Sequence, residues 1–166
     1  MKSLLIIAYG NPLRGDDGVG WQAAELLIHK QWAEEVPILT RHQLTPELAE
    51  RISEASRVIF VDAHAGISPG EIQARRIIPD AEFSGAFTHH LTPESLLAAA
   101  REFYGRCPEA WLFSVTGGSF ALQETLSPAV SASLPHLLNE IEQCASADSK
   151  PMTQSRNVGK VNHARI

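Results

Sequence analysis

Cysteine is scarce in this chain: only Cys107 and Cys144 occur among 166 residues. Two cysteines are too few for a disulfide scaffold, and they lack the paired spacing of a zinc site. Both are expected to be small apolar fillers. Positive charge is scarce as well. Fourteen Lys and Arg stand against 19 Asp and Glu, a formal net charge of −5, so no nucleic-acid or anionic-membrane surface is expected. The opening apolar run, Leu4 to Tyr9, falls far short of the roughly 20 residues a membrane-spanning helix needs. It also lacks the small-residue cleavage site of a signal peptide. It reads as the buried first strand of a cytoplasmic protein. Two catalytic signatures are missing too: the H-E-x-x-H zinc helix and the G-x-G-x-x-G dinucleotide turn.

What is present suits one core. With 44% hydrophobic residues in 166, the chain can bury a single domain and falls short of two. Apolar runs predict strands at Leu4–Tyr9, Val36–Arg41, Val58–Val61 and Trp111–Val115, with a more alternating, edge-like strand at Glu71–Ile77. Helical spacing recurs between them: Val19, Ala23, Leu26 and Leu27; Leu48, Ile52 and Ala55; Leu96, Leu97, Ala100 and Phe103; Val130, Leu134, Leu137, Leu138 and Ile141. Thr45, Thr92 and Ser127 each precede a proline at the start of a helical pattern, so each is expected to cap its helix by its hydroxyl. Strands alternating with helices predict a three-layer α/β/α sandwich, a mostly parallel twisted sheet of about five strands with helices on both faces. The domain is expected to span residues 1–146. Residues 147–166 lose periodicity, turn polar and read as a flexible tail.

In an open α/β sheet, ligands gather at the carboxyl ends of the strands, and three stretches put polar groups there. They are "GDDGVG" after the first strand, "VIFVDAHAG" with Asp62 ending a strand, and "AFTHHLTPES" with His89 and His90 before a helix. The first looks like a phosphate loop, but Asp16 and Asp17 stand where the phosphate would sit and would repel it. A cation fits better. Two carboxylates and an imidazole from separate loops make a mixed oxygen and nitrogen site with open positions, suited to a divalent transition metal. Plainer readings coexist: Asp16 or Asp17 caps the helix near Gly18, Asp62 satisfies loop amides, and one histidine of the doublet is a surface side chain. His29, His42, His64, His136 and His163 read as ordinary side chains, His64 least firmly because it lies two residues past Asp62. Gly10 and Gly15 give close backbone approach or positive φ, either as turn punctuation or as room for an incoming peptide. The loop "TGGSFALQ", Thr116 to Gln123, is expected to border a peptide groove.

Together, "GNPLRGDDGVG", "VDAHAG" and "THHLTPESLLAAA", with "HQLTPELAE" and "ETLSPAV", resemble the motifs of the hydrogenase maturation endopeptidases, in order, from about residue 3 to about residue 143. Carried over position by position, the resemblance implies that the metal-contacting acid is Asp17, the strand-end aspartate Asp62 and the histidine His89, with His90 as its rival. It further implies a protease without a serine or cysteine triad. In such an enzyme the three residues recognise nickel supplied by the substrate, a precursor of a [NiFe] hydrogenase large subunit, and a C-terminal extension is then cut off. A non-catalytic nickel checkpoint or chaperone on the same precursor, or a general metal-dependent amidohydrolase, would use the same ligands.

Overall fold

The structure, a computed structural model, describes residues 3–87 and 90–146. Five strands form one sheet: β1 (Leu4–Tyr9), β2 (Ile38–Arg41), β3 (Arg57–Ala65), β4 (Ile72–Ile77) and β5 (Glu109–Gly117), in the order β2-β1-β3-β5-β4. Every pairing is parallel except β4 against β5. Four helices cover it: α1 (Val19–Leu27), α2 (Leu48–Glu54), α3 (Pro93–Tyr104) and α4 (Pro128–Ala145). Val19, Ala23 and Leu27 of α1 and Val130, Leu137 and Ile141 of α4 pack on Ile6, Ile59, Val61 and Phe113. Leu48 and Ile52 of α2 and Leu96, Leu97 and Ala100 of α3 pack on Leu5, Ile7, Val58, Phe60 and Leu112 from the other side. Alternate residues of each strand thus feed two cores, which is why the strands read as unbroken apolar runs. The expected α/β/α sandwich is what forms.

Strand boundaries differ from the sequence reading in ways the chemistry explains. β2 begins at Ile38 rather than Val36, because Val36 is tied into a turn by its N–H to the Ala33 carbonyl and Pro37 has no N–H to give. β3 and β5 run past their apolar cores. Asp62, Ala63, His64 and Ala65 stay in register with Ser114, Val115, Thr116 and Gly117, so Asp62 lies inside a strand and not at its end. Polar side chains on both strands meet there, which keeps the ladder going where an apolar count stops.

Of the three expected hydroxyl caps, one forms. Thr92 accepts from the Ser95 N–H, while Ser95 accepts from the Thr92 N–H, a reciprocal capping box at the start of α3. Thr45 instead donates to the Glu47 carboxylate, and α2 starts only at Leu48 after an intervening turn. Ser127 sits at the cap position of α4, but its hydroxyl goes to Asp16. Of the cysteines, Cys144 is a buried filler whose thiol burial pushes up to about 12. Cys107 corrects the expectation: it is exposed, in the turn after α3 closes on the left-handed Gly105. At the opposite rim, Arg57 of β3 is buried, pairs with Glu109 at 2.9 Å and donates to the Cys144 carbonyl. The expected tail, 147–166, lies outside the described residues. Replacing Thr92 by Ala removes the side-chain half of the capping box and should lower stability by about 1 kcal/mol, measured by urea denaturation.

Candidate active site

Topology decides where a site can be. β1 connects to β2 through α1 on one face, and β2 connects to β3 through α2 on the other, so the chain reverses direction between the neighbouring strands β1 and β3. At such a switch point the two crossovers splay apart and leave a crevice at the carboxyl ends. Asp17 follows β1 and Asp62 lies on β3, on the two sides of that crevice.

The loop after β1 is held by the first of its two aspartates. Asp16 is fully buried, and its carboxylate accepts from the N–H groups of Gly118 and Ser119 (2.7 and 2.9 Å) and from the N–H and hydroxyl of Ser127 (2.7 and 2.8 Å). Burial alone raises its pKa, but the bonds from Ser127, Ser119 and Gly118 outweigh it and hold the carboxyl below the usual range. Asp16 caps α4 and the 117–119 turn, not the helix next to it. Backbone bonds between Gly15 and Gln123, and between Gln123 and Leu13, zip the two loops together.

Asp17 faces differently. Its Oδ2 accepts from the Asn11 N–H at 2.7 Å, which folds the loop back over Gly10. Gly10 has φ of 139°, and a Cβ there would lie 2.1 Å from the Asp17 carbonyl oxygen; a Cβ at Gly15 (φ 54°) would lie 2.6 Å from the Ser119 carbonyl. The space these glycines leave is filled by Asp17 and Ser119, so it serves internal packing.

Asp62 sits on the face covered by α2 and α3. The period of two that buries Leu5, Ile7, Val58, Phe60 and Leu112 there also aims Tyr9, Asp62, His64, Ser114 and Thr116 to that side. The Tyr9 hydroxyl donates to Asp62 Oδ2 at 2.7 Å. Asp62 Oδ1 is buried and has no hydrogen-bond partner. Burial drives the Asp62 carboxyl above the ordinary value, only partly offset by Tyr9, Ser114, His64 and Arg75. His64 Nδ1 lies 2.6 Å from Ser114 Oγ and Nε2 lies 3.0 Å from Thr116 Oγ1, so both ring nitrogens are engaged. Arg75 of β4 pairs with Glu94 in the first turn of α3 at 2.7 Å, fixing that helix start beside the same crevice. Sequence reasoning missed Tyr9, Ser114 and Arg75. The signal for the first two was a polar group at an inward position of an otherwise apolar strand.

His89 lies outside the described residues, and His90 is exposed. Among the described residues no three His, Cys, Asp or Glu side chains are grouped to hold a metal ion. Asp17 and Asp62 stand at one rim, linked through Tyr9, Gly10 and Asn11. A cavity of about 620 Å³ lies beside α1, lined by Pro12, Leu13, Trp21, Ile28, Ile38 and Glu124 among others; neither aspartate lines it.

No family model matches the sequence, and no curated protein matches it. Solved structures do. The hydrogenase maturating endopeptidase HybD from E. coli is 25% identical, with a TM-score of 0.64 over 84% of this chain and 89% of its own. The solution structure of an endopeptidase from Escherichia coli is 26% identical, with a TM-score of 0.67 over 86% and 91%. The [NiFe] hydrogenase maturation protease HybD from Thermococcus kodakarensis, at 22% identity and a TM-score of 0.61, shares the fold over 86% of this chain and 99% of its own. Over most of its length the chain is thus similar in fold to solved hydrogenase maturation endopeptidases. The zipped loop of Asp16 and Asp17 follows β1, and Asp62 lies on β3.

The Asp16 and Asp62 carboxylates should respond oppositely to pH. Asp16 is held below its unfolded value, so it contributes stability that is complete above about pH 4 and lost as pH falls through the folded pKa. Asp16→Ala strands four donors and should cost about 3–5 kcal/mol at pH 7; Asp16→Asn should flatten the acid limb of a denaturation series. Asp62 is raised, so its ionised form opposes folding at neutral pH, and that penalty vanishes as pH falls through its folded pKa. Asp62→Asn should therefore melt higher than the parent at pH 7, with the gain shrinking in acid.

Proposed function

We propose that the chain is a nickel-dependent endopeptidase that removes the C-terminal extension of the nickel-loaded precursor of a [NiFe] hydrogenase large subunit, acting in the cytoplasm. The observation that carries the reading is Asp62 Oδ1, a buried carboxylate oxygen without a partner at the topological switch point. An unpaired buried acceptor is costly, and a cation is the partner that would offset the cost. The likeness to solved hydrogenase maturation endopeptidases suggests the reaction class.

In this reading nickel arrives as part of the substrate. Asp17 and Asp62 offer it anionic oxygens and His89 an imidazole, while the precursor keeps its own ligands on the remaining positions. A Lewis acid held beside the scissile carbonyl draws electron density from it and favours attack by water. Ordinary nucleophiles are poorly placed: Ser68, in the G-x-S-x-G spacing of Gly66 to Gly70, lies on the connection from β3 to β4 and not on a strand-to-helix elbow. Cys144 is buried with its thiol pushed up, and Cys107, though exposed, is raised by the partial desolvation of its thiol. Ser114 and His64 bond to each other, yet the connectivity of a triad is wrong: the far nitrogen of His64 meets the Thr116 hydroxyl, not a carboxylate.

Incubating nickel-loaded and nickel-free precursor with the protein and weighing the products tests this. Loss of the extension only from the loaded precursor is expected. Asp17→Ala, Asp62→Ala and His89→Ala should each slow processing by at least about a hundredfold, while His90→Ala keeps most of the rate. Undiminished rates in all three variants would end the proposal. A mobility shift of the precursor without cleavage would favour the checkpoint reading, and hydrolysis of small amides without precursor would favour the general amidohydrolase.

A further inference from the structure

Tyr9 does something that core packing alone does not require. It is the last residue of β1, beside β3 in parallel register with Ala8 opposite Val61, and its ring lies on the same sheet face as the Asp62 side chain. From there its hydroxyl reaches Asp62 Oδ2 at 2.7 Å, the length of a strong O–H···O⁻ bond. The other oxygen, Oδ1, is left buried without a partner. The Tyr9 bond thus makes the two oxygens of one carboxylate unequal. Ser114, in register with Asp62 across β5, is tied to His64 at 2.6 Å, and His64 to Thr116, so the side of the carboxylate facing β5 is held rigidly as well.

We infer that Tyr9 is a specificity-determining positioning residue, which restricts Asp62 to one-atom ligation and thereby biases the site toward a small, geometrically strict divalent ion. This rests on the reading of Asp62 as a nickel contact. The physical argument is coordination geometry. A carboxylate with both oxygens free can clamp an ion bidentately, a mode suited to large, high-coordination ions that accept irregular oxygen shells. With Oδ2 committed to a phenol, bidentate clamping would require breaking a charge-assisted hydrogen bond. A single oxygen at fixed direction suits an ion that takes few ligands at defined angles and leaves places for the donors the substrate brings. Tyr9 touches neither substrate nor ion in this account; it acts through Asp62.

The test uses the full chain with Ni²⁺ alone and Mn²⁺ alone as probes, titrated calorimetrically into the parent, Tyr9→Phe and Asp62→Ala, with thermal melts of each. The expected result has three parts: the parent prefers Ni²⁺, Asp62→Ala loses most of the binding, and Tyr9→Phe narrows the Ni²⁺ to Mn²⁺ affinity ratio by about tenfold or more at nearly unchanged melting temperature. A residue that merely supports the fold would weaken both ions together and leave the ratio alone. Replacing Tyr9 with 4-fluorophenylalanine, which keeps the ring's length without the donor, decides the matter if Tyr9→Phe folds poorly. An unchanged ratio in either variant overturns the inference, as does a parent that binds neither ion. A precursor left uncut by a parent showing the expected ratios would instead count against the proposed function, so the two failures are distinguishable.

Discussion

The Asp16 carboxylate is the fixed point of the rim. It has no exposure to water, and its four hydrogen bonds come from two segments more than 100 residues away along the chain. A buried carboxylate is tolerable only when its charge is fully met by donors, and here the donors are the turn at Gly118 and Ser119 and the first turn of α4. The bond that neutralises the charge is therefore also the bond that sets the height of α4 and the path of the loop after β1. Its neighbour Asp17 inherits a defined position from it. One aspartate anchors the loop from inside, and the next presents its carboxylate where the loop folds back on Gly10 and Asn11. The adjacent pair that looked redundant in the sequence thus faces two ways, Asp16 into the 117–127 segment and Asp17 toward Asn11.

The rest of the crevice depends on strand order. Because α1 and α2 pack on opposite faces, the carboxyl ends of β1 and β3 are left uncovered together. Gly20 at the start of α1 makes this compact: a Cβ there would come within 2.9 Å of the Val61 carbonyl, next door to Asp62. Helix α3 closes the same side through the Thr92–Ser95 capping box and the Arg75–Glu94 ion pair, which together fix where the segment before Thr92 enters the helix. Rigid elements thus hold the candidate site, with Asp62 inside a strand, and Tyr9 and Ser114 on its two neighbours.

Much of this was legible in the sequence because the physics was local. Unbroken apolar runs mark strands buried on both faces, and the alternation of Glu71–Ile77 marks the edge strand β4, which pairs antiparallel as its position allows. Thr92 signalled its cap for the same reason. What was not legible required partners distant in the chain. Ser127 carries the same local signature as Thr92, yet its hydroxyl is claimed by Asp16, which no neighbouring residue announces. Thr45 fails because Glu47, two residues on, competes for its hydroxyl. The continuation of β3 beyond Val61 was invisible because its support is cross-strand: Asp62 opposite Ser114 and His64 opposite Thr116. His64 looked like a candidate from its spacing to Asp62, and the structure shows why it is not a free ligand, with both nitrogens taken by hydroxyls.

The energetics of Asp62 link fold to proposed role. Burial opposes its charge, and Tyr9, Ser114, His64 and Arg75 offset only part of that cost. A chain optimised for stability alone would put an amide or an apolar side chain there, since an unpaired buried acceptor does nothing for folding. The unpaired oxygen becomes useful once a cation arrives, and in the proposed reaction the cation comes already bound to the polypeptide that is to be cut. The cost of holding a half-satisfied carboxylate is then relieved when the loaded substrate binds, so recognition of the cargo and relief of that penalty are the same event. A site completed by its own protein ligands would hold an ion permanently and would lose the ability to distinguish a loaded precursor from an empty one.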